Sequence, residues 1–162
     1  MNKIKQLKIN NYKKKLIEKY SFLDIVDINY GEENPDDIDF CKLAHNTING
    51  EYFTYSIGDN GSSFVNENNV LPLSKKLIRD RVGIFRGVDS LVFTANYNSE
   101  NFRIKCSAEK LIKHFDEIED FSPFPIIFDE NHTVIISVMR LEYEVELYIW
   151  ENRNSEITKE VH

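Results

Sequence analysis

Reactive chemistry is scarce in this chain. There are two cysteines, Cys41 and Cys106, with no CxxC pair and no Cys/His cluster around either. That excludes the common zinc patterns, and the apolar surroundings of both predict separate, buried, reduced thiols. No apolar run approaches the ~18 residues needed to span a bilayer. The amino-terminal stretch "MNKIKQLKINNYKKKLIEKY" lacks a continuous apolar segment and a small-residue cleavage site, so it does not read as a signal peptide. These absences predict a cytoplasmic protein. Glycine-rich phosphate loops are missing, and Ser62-Ser63 after Gly61 is not a nucleophile elbow. Arg79, Arg81, Arg86, Arg103 and Arg140 form no run, which gives no nucleic-acid groove. Neither direct nucleic-acid binding nor membrane contact is expected, and no cofactor or metal is implied.

What is present is ordinary for a globular domain. With 162 residues, 41% hydrophobic and 29% charged, the chain can build one core without disulfide or metal staples. The reading is a single domain over residues 1–162, with a lysine-rich N-terminal helix at about 1–20. Charge is unevenly spread. Of 20 basic and 27 acidic side chains, seven lysines and one glutamate lie in the first twenty residues, which leaves 13 basic against 26 acidic in the body. A body of that sign repels nucleic acid and membrane surfaces and attracts cationic partners.

Periodicity gives a coarse map. "NNYKKKLIEKY" spaces Tyr12, Leu16, Ile17 and Tyr20 as a short amphipathic helix, and "SFLDIVDINYG" alternates as a strand. "NPDDIDFCKLAHNTING" opens with Asn34 as cap, Pro35 and two aspartates. That predicts a helix with Ile38, Leu43 and Cys41 inward, followed by a turn at Asn49-Gly50. "EYFTYSIGDNGSSFV" reads as a hairpin turning at Asp59-Asn60-Gly61. "LPLSKKLIRDRV" reads as a short helix after Ser74. "VGIFRG", "SLVFTANY" and "NFRIKCS" read as strands, and "SAEKLIKHFDEIEDF" as a helix capped by Ser107. After the turn "DENH", residues 132–151 contain no Gly or Pro, and the stretch reads as one bent strand or two strands meeting at a bulge near Arg140. The order predicts an α+β fold, a largely antiparallel sheet with three to four helices.

Each candidate for chemistry has a plain structural reading beside it. His45, His114 and His132 could each work with an acidic neighbour as an acid–base pair, but a helix end, a mid-helix site and a hairpin turn are ordinary places for histidine. The cluster "EENPDDID" lacks the alternate-position spacing of a calcium loop and reads as a solvated helix start.

The strand "RLEYEVELYIWE" raises the sharper question. In alternation, Leu141, Tyr143, Val145, Leu147 and Ile149 form one face, expected to be buried beside Leu111, Ile112 and Phe115. Glu142, Glu144, Glu146, Tyr148 and Trp150 form the other, which combines mutual repulsion with the sole tryptophan. Read as exposed, it is a binding surface in which aromatics supply the hot spot and carboxylates take up cations. Two further acidic groups could flank or replace it: Glu32, Glu33, Asp36 and Asp37, and Asp116, Glu117, Glu119 and Asp120. The plain reading is a solvated strand whose charges discourage aggregation.

In size, acidity, α+β pattern and the acid-plus-aromatic strand Glu142–Trp150, the chain resembles the small bacterial immunity proteins of contact-dependent growth inhibition and polymorphic toxin systems. The resemblance rests on no motif, so it transfers no residue roles. It implies a non-enzymatic binding protein that neutralises a basic toxin domain, a nuclease above all, by occluding its active site. Two alternatives stay open: a small hydrolase or transferase built from dispersed His and acidic residues, and an oligomer that pairs through an exposed strand edge.

Overall fold

A computed structural model describes residues 1–31, 35–45, 51–56, 67–140 and 144–151. The elements are α1 (Lys3–Lys19), β1 (Asp27–Tyr30), α2 (Pro35–His45), β2 (Glu51–Ser56), α3 (Glu67–Arg79), β3 (Ser90–Tyr97), β4 (Glu100–Ser107), α4 (Ala108–Lys113), β5 (Ile126–Asp129), β6 (Val134–Arg140) and β7 (Glu144–Glu151). The strands form one sheet in the order β1-β4-β3-β5-β6-β7-β2, every neighbour antiparallel. This is the expected α+β class.

The sheet has a covered face on each side. Leu91, Phe93, Phe102, Ile104, Ile127, Ile136, Leu147 and Ile149 point to a large core shared with Ile9 and Leu16 of α1, Ile78 of α3 and Leu111 of α4. The alternate residues Val92, Phe128, Ile135, Tyr148 and Trp150 point the other way, into a smaller cluster closed by Phe40 and Ala44 of α2. Of the residues expected inside, Leu147, Ile149, Leu111 and Phe115 are buried and Ile112 is partly so.

Several local readings change, each for a physical reason. The strand expected from Phe22 starts only at Asp27, because Ser21–Leu23 form a 3-10 turn that buries Leu23, and Asp24 reverses the chain at φ 52°, a conformation Asp tolerates. "VGIFRG" is a 3-10 turn, not a strand. Val82 and Phe85 are buried while Gly83 and Arg86 are exposed, which is a period of three rather than two. The helix after Ser107 ends at Lys113. It tightens into a 3-10 turn, with Glu117 N–H bonded to the His114 carbonyl at 2.9 Å, and still buries Phe115 and Ile118. α3 begins well before Ser74, at Glu67, and carries Pro72 in its interior. β2 pairs with β7. The hairpin turn expected at Asp59-Asn60-Gly61, the turn at Asn49-Gly50 and the cap at Asn34 lie outside the described residues. The stretch after "DENH" holds two antiparallel strands, Val134–Arg140 and Glu144–Glu151, with Val134 opposite Glu151 and Arg140 opposite Val145.

Candidate partner-binding face

The glutamate–aromatic strand is assembled differently from the expectation. β7 starts at Glu144, which is in register with Ser56 of β2; Glu142 lies outside the described residues, as do Glu32 and Glu33. Glu146 is half-buried, between Met139 of β6 and Thr54 of β2 in register. Tyr148 and Trp150 were expected to be exposed, and they are not: Tyr148 is 0% and Trp150 7% exposed. The reason is α2, which crosses this face and sets the Phe40 ring edge-on to Trp150 at 5.6 Å. These two aromatics belong to a second core, so the hot-spot part of the expectation is withdrawn.

α2 is held down by a stripe at positions 37, 40, 41 and 44, the spacing of one helical face. The inward residues are therefore Phe40 and Ala44, with Ile38 and Cys41 partly buried; the side chain of Leu43 lies outside the described residues. Asp37 belongs to the stripe and is itself buried, which corrects its reading as a solvent-facing ligand for a partner. Its carboxylate accepts two bonds from Arg103, from Nε at 2.5 Å and Nη2 at 3.4 Å, and lies 3.0 Å from His132 Nε2. The imidazole stacks on Phe40 at 4.8 Å, and the Arg103 guanidinium lies over Phe128 at 6.0 Å. Lys105, Glu130 and Ser90 continue the polar cluster: Ser90 donates to Glu130 at 2.7 Å, and Lys105 pairs with the same carboxylate. Those two partners and burial act in opposite directions, and the partners prevail, so the Glu130 carboxyl is held below its usual range. Asp36 and Asp39 remain exposed on the outer side of α2.

The group Asp116, Glu117, Glu119 and Asp120 lies across the sheet, among the helices of the large core, and cannot share a surface with β7. Each of its carboxylates also has a side-chain partner. Asp116 meets Arg79 at 3.2 Å, Glu117 meets His114, and Glu119 and Asp120 meet Lys19 at 3.1 and 2.7 Å. The Tyr20 hydroxyl donates to Asp120 and accepts from the backbone N–H of Glu119 and Asp120, both at 3.1 Å. This group staples α1 to the loop after α4.

Sequence reasoning missed the Asp37–Arg103–His132 cluster, although half its signal was visible. Arg103 and Lys105 are the polar positions of a strand whose alternate residues Phe102, Ile104 and Cys106 are apolar, and Asp37 sits three residues before Phe40 on α2. Among the described residues no group of three or more His, Cys, Asp or Glu is placed to hold a metal ion, and no helix is long and apolar enough to cross a membrane. Cys41 and Cys106 are both free, with the sheet between them, and burial pushes their thiols up to about 11 and about 12, which leaves them poor nucleophiles at neutral pH. No family model, curated protein or solved structure matches the chain, so its function is argued from these residues.

Proposed function

We propose that this protein is a non-enzymatic inhibitor that binds a basic toxin domain, a nuclease being the best-matched class, and covers its active site. The observation that supports the reading is the separation of charge across the sheet. α1 carries seven lysines against one glutamate on one side, while on the other α2 exposes Asp36 and Asp39 against Lys42, Asp37 being buried against Arg103. Exposed Asp36 and Asp39, with Glu146 of β7, give that second side a negative surface on a rigid support. Such a surface steers a cationic cleft toward it and raises the association rate. Tyr148 and Trp150 serve as the support and not as the contact.

The test is inhibition of a cationic nuclease toxin domain, sought first in the reading frames beside this gene, followed by stopped flow at several ionic strengths. The parent protein blocks the toxin and associates more slowly as salt rises. The variant Asp36→Lys, Asp39→Lys, Glu146→Lys keeps its fold and associates roughly tenfold or more slowly, with little salt dependence left. Equal inhibition by variant and parent rejects this face. The His132–Asp37 pair favours a second reading, an acid–base site. On that reading His132→Gln abolishes a hydrolytic or transfer activity, whereas on the inhibitor reading it changes only stability.

A further inference from the structure

Helix α1 has apolar residues on two opposite faces, and the fold uses only one. Ile9, Leu16 and Tyr20 are buried in the large core, and the Tyr12 ring meets Tyr97 edge-on at 5.4 Å. At about 100° per residue, the opposite face holds positions 4, 7, 8, 11, 14, 15 and 18. There Ile4 is 79% and Leu7 62% exposed. Single exposed aliphatics are ordinary on protein surfaces. These two stand i,i+3 on one helical face, and the rest of that face holds exposed Lys8, Lys14 and Lys15 with Asn11 and Glu18.

We propose that this outer face of α1 docks on an anionic lipid bilayer, lying in the headgroup plane with Ile4 and Leu7 inserted and the lysines on the lipid anions. The chemistry fits that occupant best. Helices that lie in a membrane interface combine aliphatic residues with a lysine-rich surround, and long lysine stems let the ammonium reach the headgroups while the apolar side chain sinks below them. Protein interfaces, by contrast, are depleted in lysine at their centres and anchor on aromatics or arginine in pockets. A nucleic-acid site has no use for two aliphatics standing out of the middle of the charge.

The acidic body does not cancel the attraction: on the α1 side, Asp116, Glu119 and Asp120 are paired with Arg79 and Lys19. α2 lies on the opposite side of the sheet, so a helix layer and a sheet of roughly 10 Å each separate its aspartates from the bilayer. That is more than twice the screening length of about 8 Å at physiological ionic strength. In this orientation the acidic side faces away from the membrane and stays open to a cationic partner, so the inference stands independently of the inhibitor reading. The sequence suggested no membrane contact because the body as a whole is acidic and no apolar run is long enough to span a bilayer. The exposure of Ile4 and Leu7 is what changes the reading.

Vesicle flotation of the full chain tests this. The protein should float with phosphatidylcholine vesicles containing roughly one-third phosphatidylserine, stay behind with phosphatidylcholine alone, and detach as salt rises. Ile4→Asp with Leu7→Asp alters only exposed positions. The variant should match the parent in circular dichroism and thermal midpoint, yet partition onto anionic vesicles about tenfold or more weakly. Lys8→Glu with Lys15→Glu should lose binding similarly while keeping both aliphatics. No flotation with anionic vesicles overturns the proposal, as does unchanged partitioning of the first variant. Binding of polyglutamate or duplex DNA through these residues without vesicle binding also overturns it and assigns the face to an acidic macromolecule.

Discussion

The two faces of the sheet are built to different rules. The face under α1, α3 and α4 is closed by aliphatic and phenylalanine side chains from many elements, and its ionic contacts, such as Lys19 with Asp120, sit at the rim. The face under α2 is small and aromatic, with Phe40, Phe128, Tyr148 and Trp150 at its centre, and it has an ion pair inside its boundary, Asp37 with Arg103. A strand such as β7 serves both, with Leu147 and Ile149 one way and Tyr148 and Trp150 the other. Alternation along such a strand therefore separates two cores, not core from solvent.

Truncating one side chain on each face gives the largest expected effects. Trp150→Ala should cost about 3–5 kcal/mol and Leu147→Ala about 2–5, the ranges for fully buried residues of each type. Either is a large share of a typical 5–15 kcal/mol stability. Urea titrations of the three proteins measure both, and Trp150, as the only tryptophan, adds an optical probe of the α2 side. Its emission should be that of a buried indole and should shift to the red on unfolding. A cost below about 1 kcal/mol for Trp150→Ala means the second core contributes little.

That second core also marks where the sequence stopped being readable. The class, the lysine-rich first helix, β3, β4 and the turn at "DENH" followed from periodicity and turn chemistry that act locally. The large core was legible for the same reason, since Leu147 and Ile149 carry the apolar half of a clear period of two. The covering of Trp150 was not, because it depends on α2, over a hundred residues earlier in the chain, crossing one particular face. Nothing local distinguishes a tryptophan waiting for a partner from one waiting for a helix. Asp37 was misread as solvated for the reciprocal reason: its counter-charge, Arg103, lies on a distant strand. The acidic residues at 116–120 were legible as charges, but their cations on α1 and α3 were set by packing.

The ion pair inside the aromatic layer gives the next effect. Asp37→Ala leaves Arg103 and His132, whose side chains are 18% and 29% exposed, without their shared carboxylate. Breaking a fully buried pair costs about 3–5 kcal/mol; water reaches this one in part, so about 2 kcal/mol is expected. A double-mutant cycle with Arg103→Met isolates the interaction and should give a coupling of roughly 1 kcal/mol or more. Zero coupling would show that the pair only decorates the contact between α2 and the sheet.

The smallest effect belongs to the rim of the large core and reports through pH. The Tyr20 phenol is pushed up to about 12 by burial and by the Asp120 carboxylate it donates to. Its ordinary value is 10.0, so the neutral form is the one the fold favours. The stability linked to it is whole below pH 10 and is lost as pH climbs through 12. Lys19, raised mainly by its bond to Asp120, acts in the same direction, as do the two buried thiols, so the parent should weaken steeply across that alkaline window. Tyr20→Phe removes one contributor and strips an acceptor from the backbone N–H groups of Glu119 and Asp120. The variant should start about 1–2 kcal/mol less stable at neutral pH and fall less steeply between pH 10 and 12. Urea midpoints of both proteins across that range decide it. Parallel curves would show that α1 is held to the loop after α4 without help from the phenol, whose hydrogen bonds then follow from that contact instead of securing it.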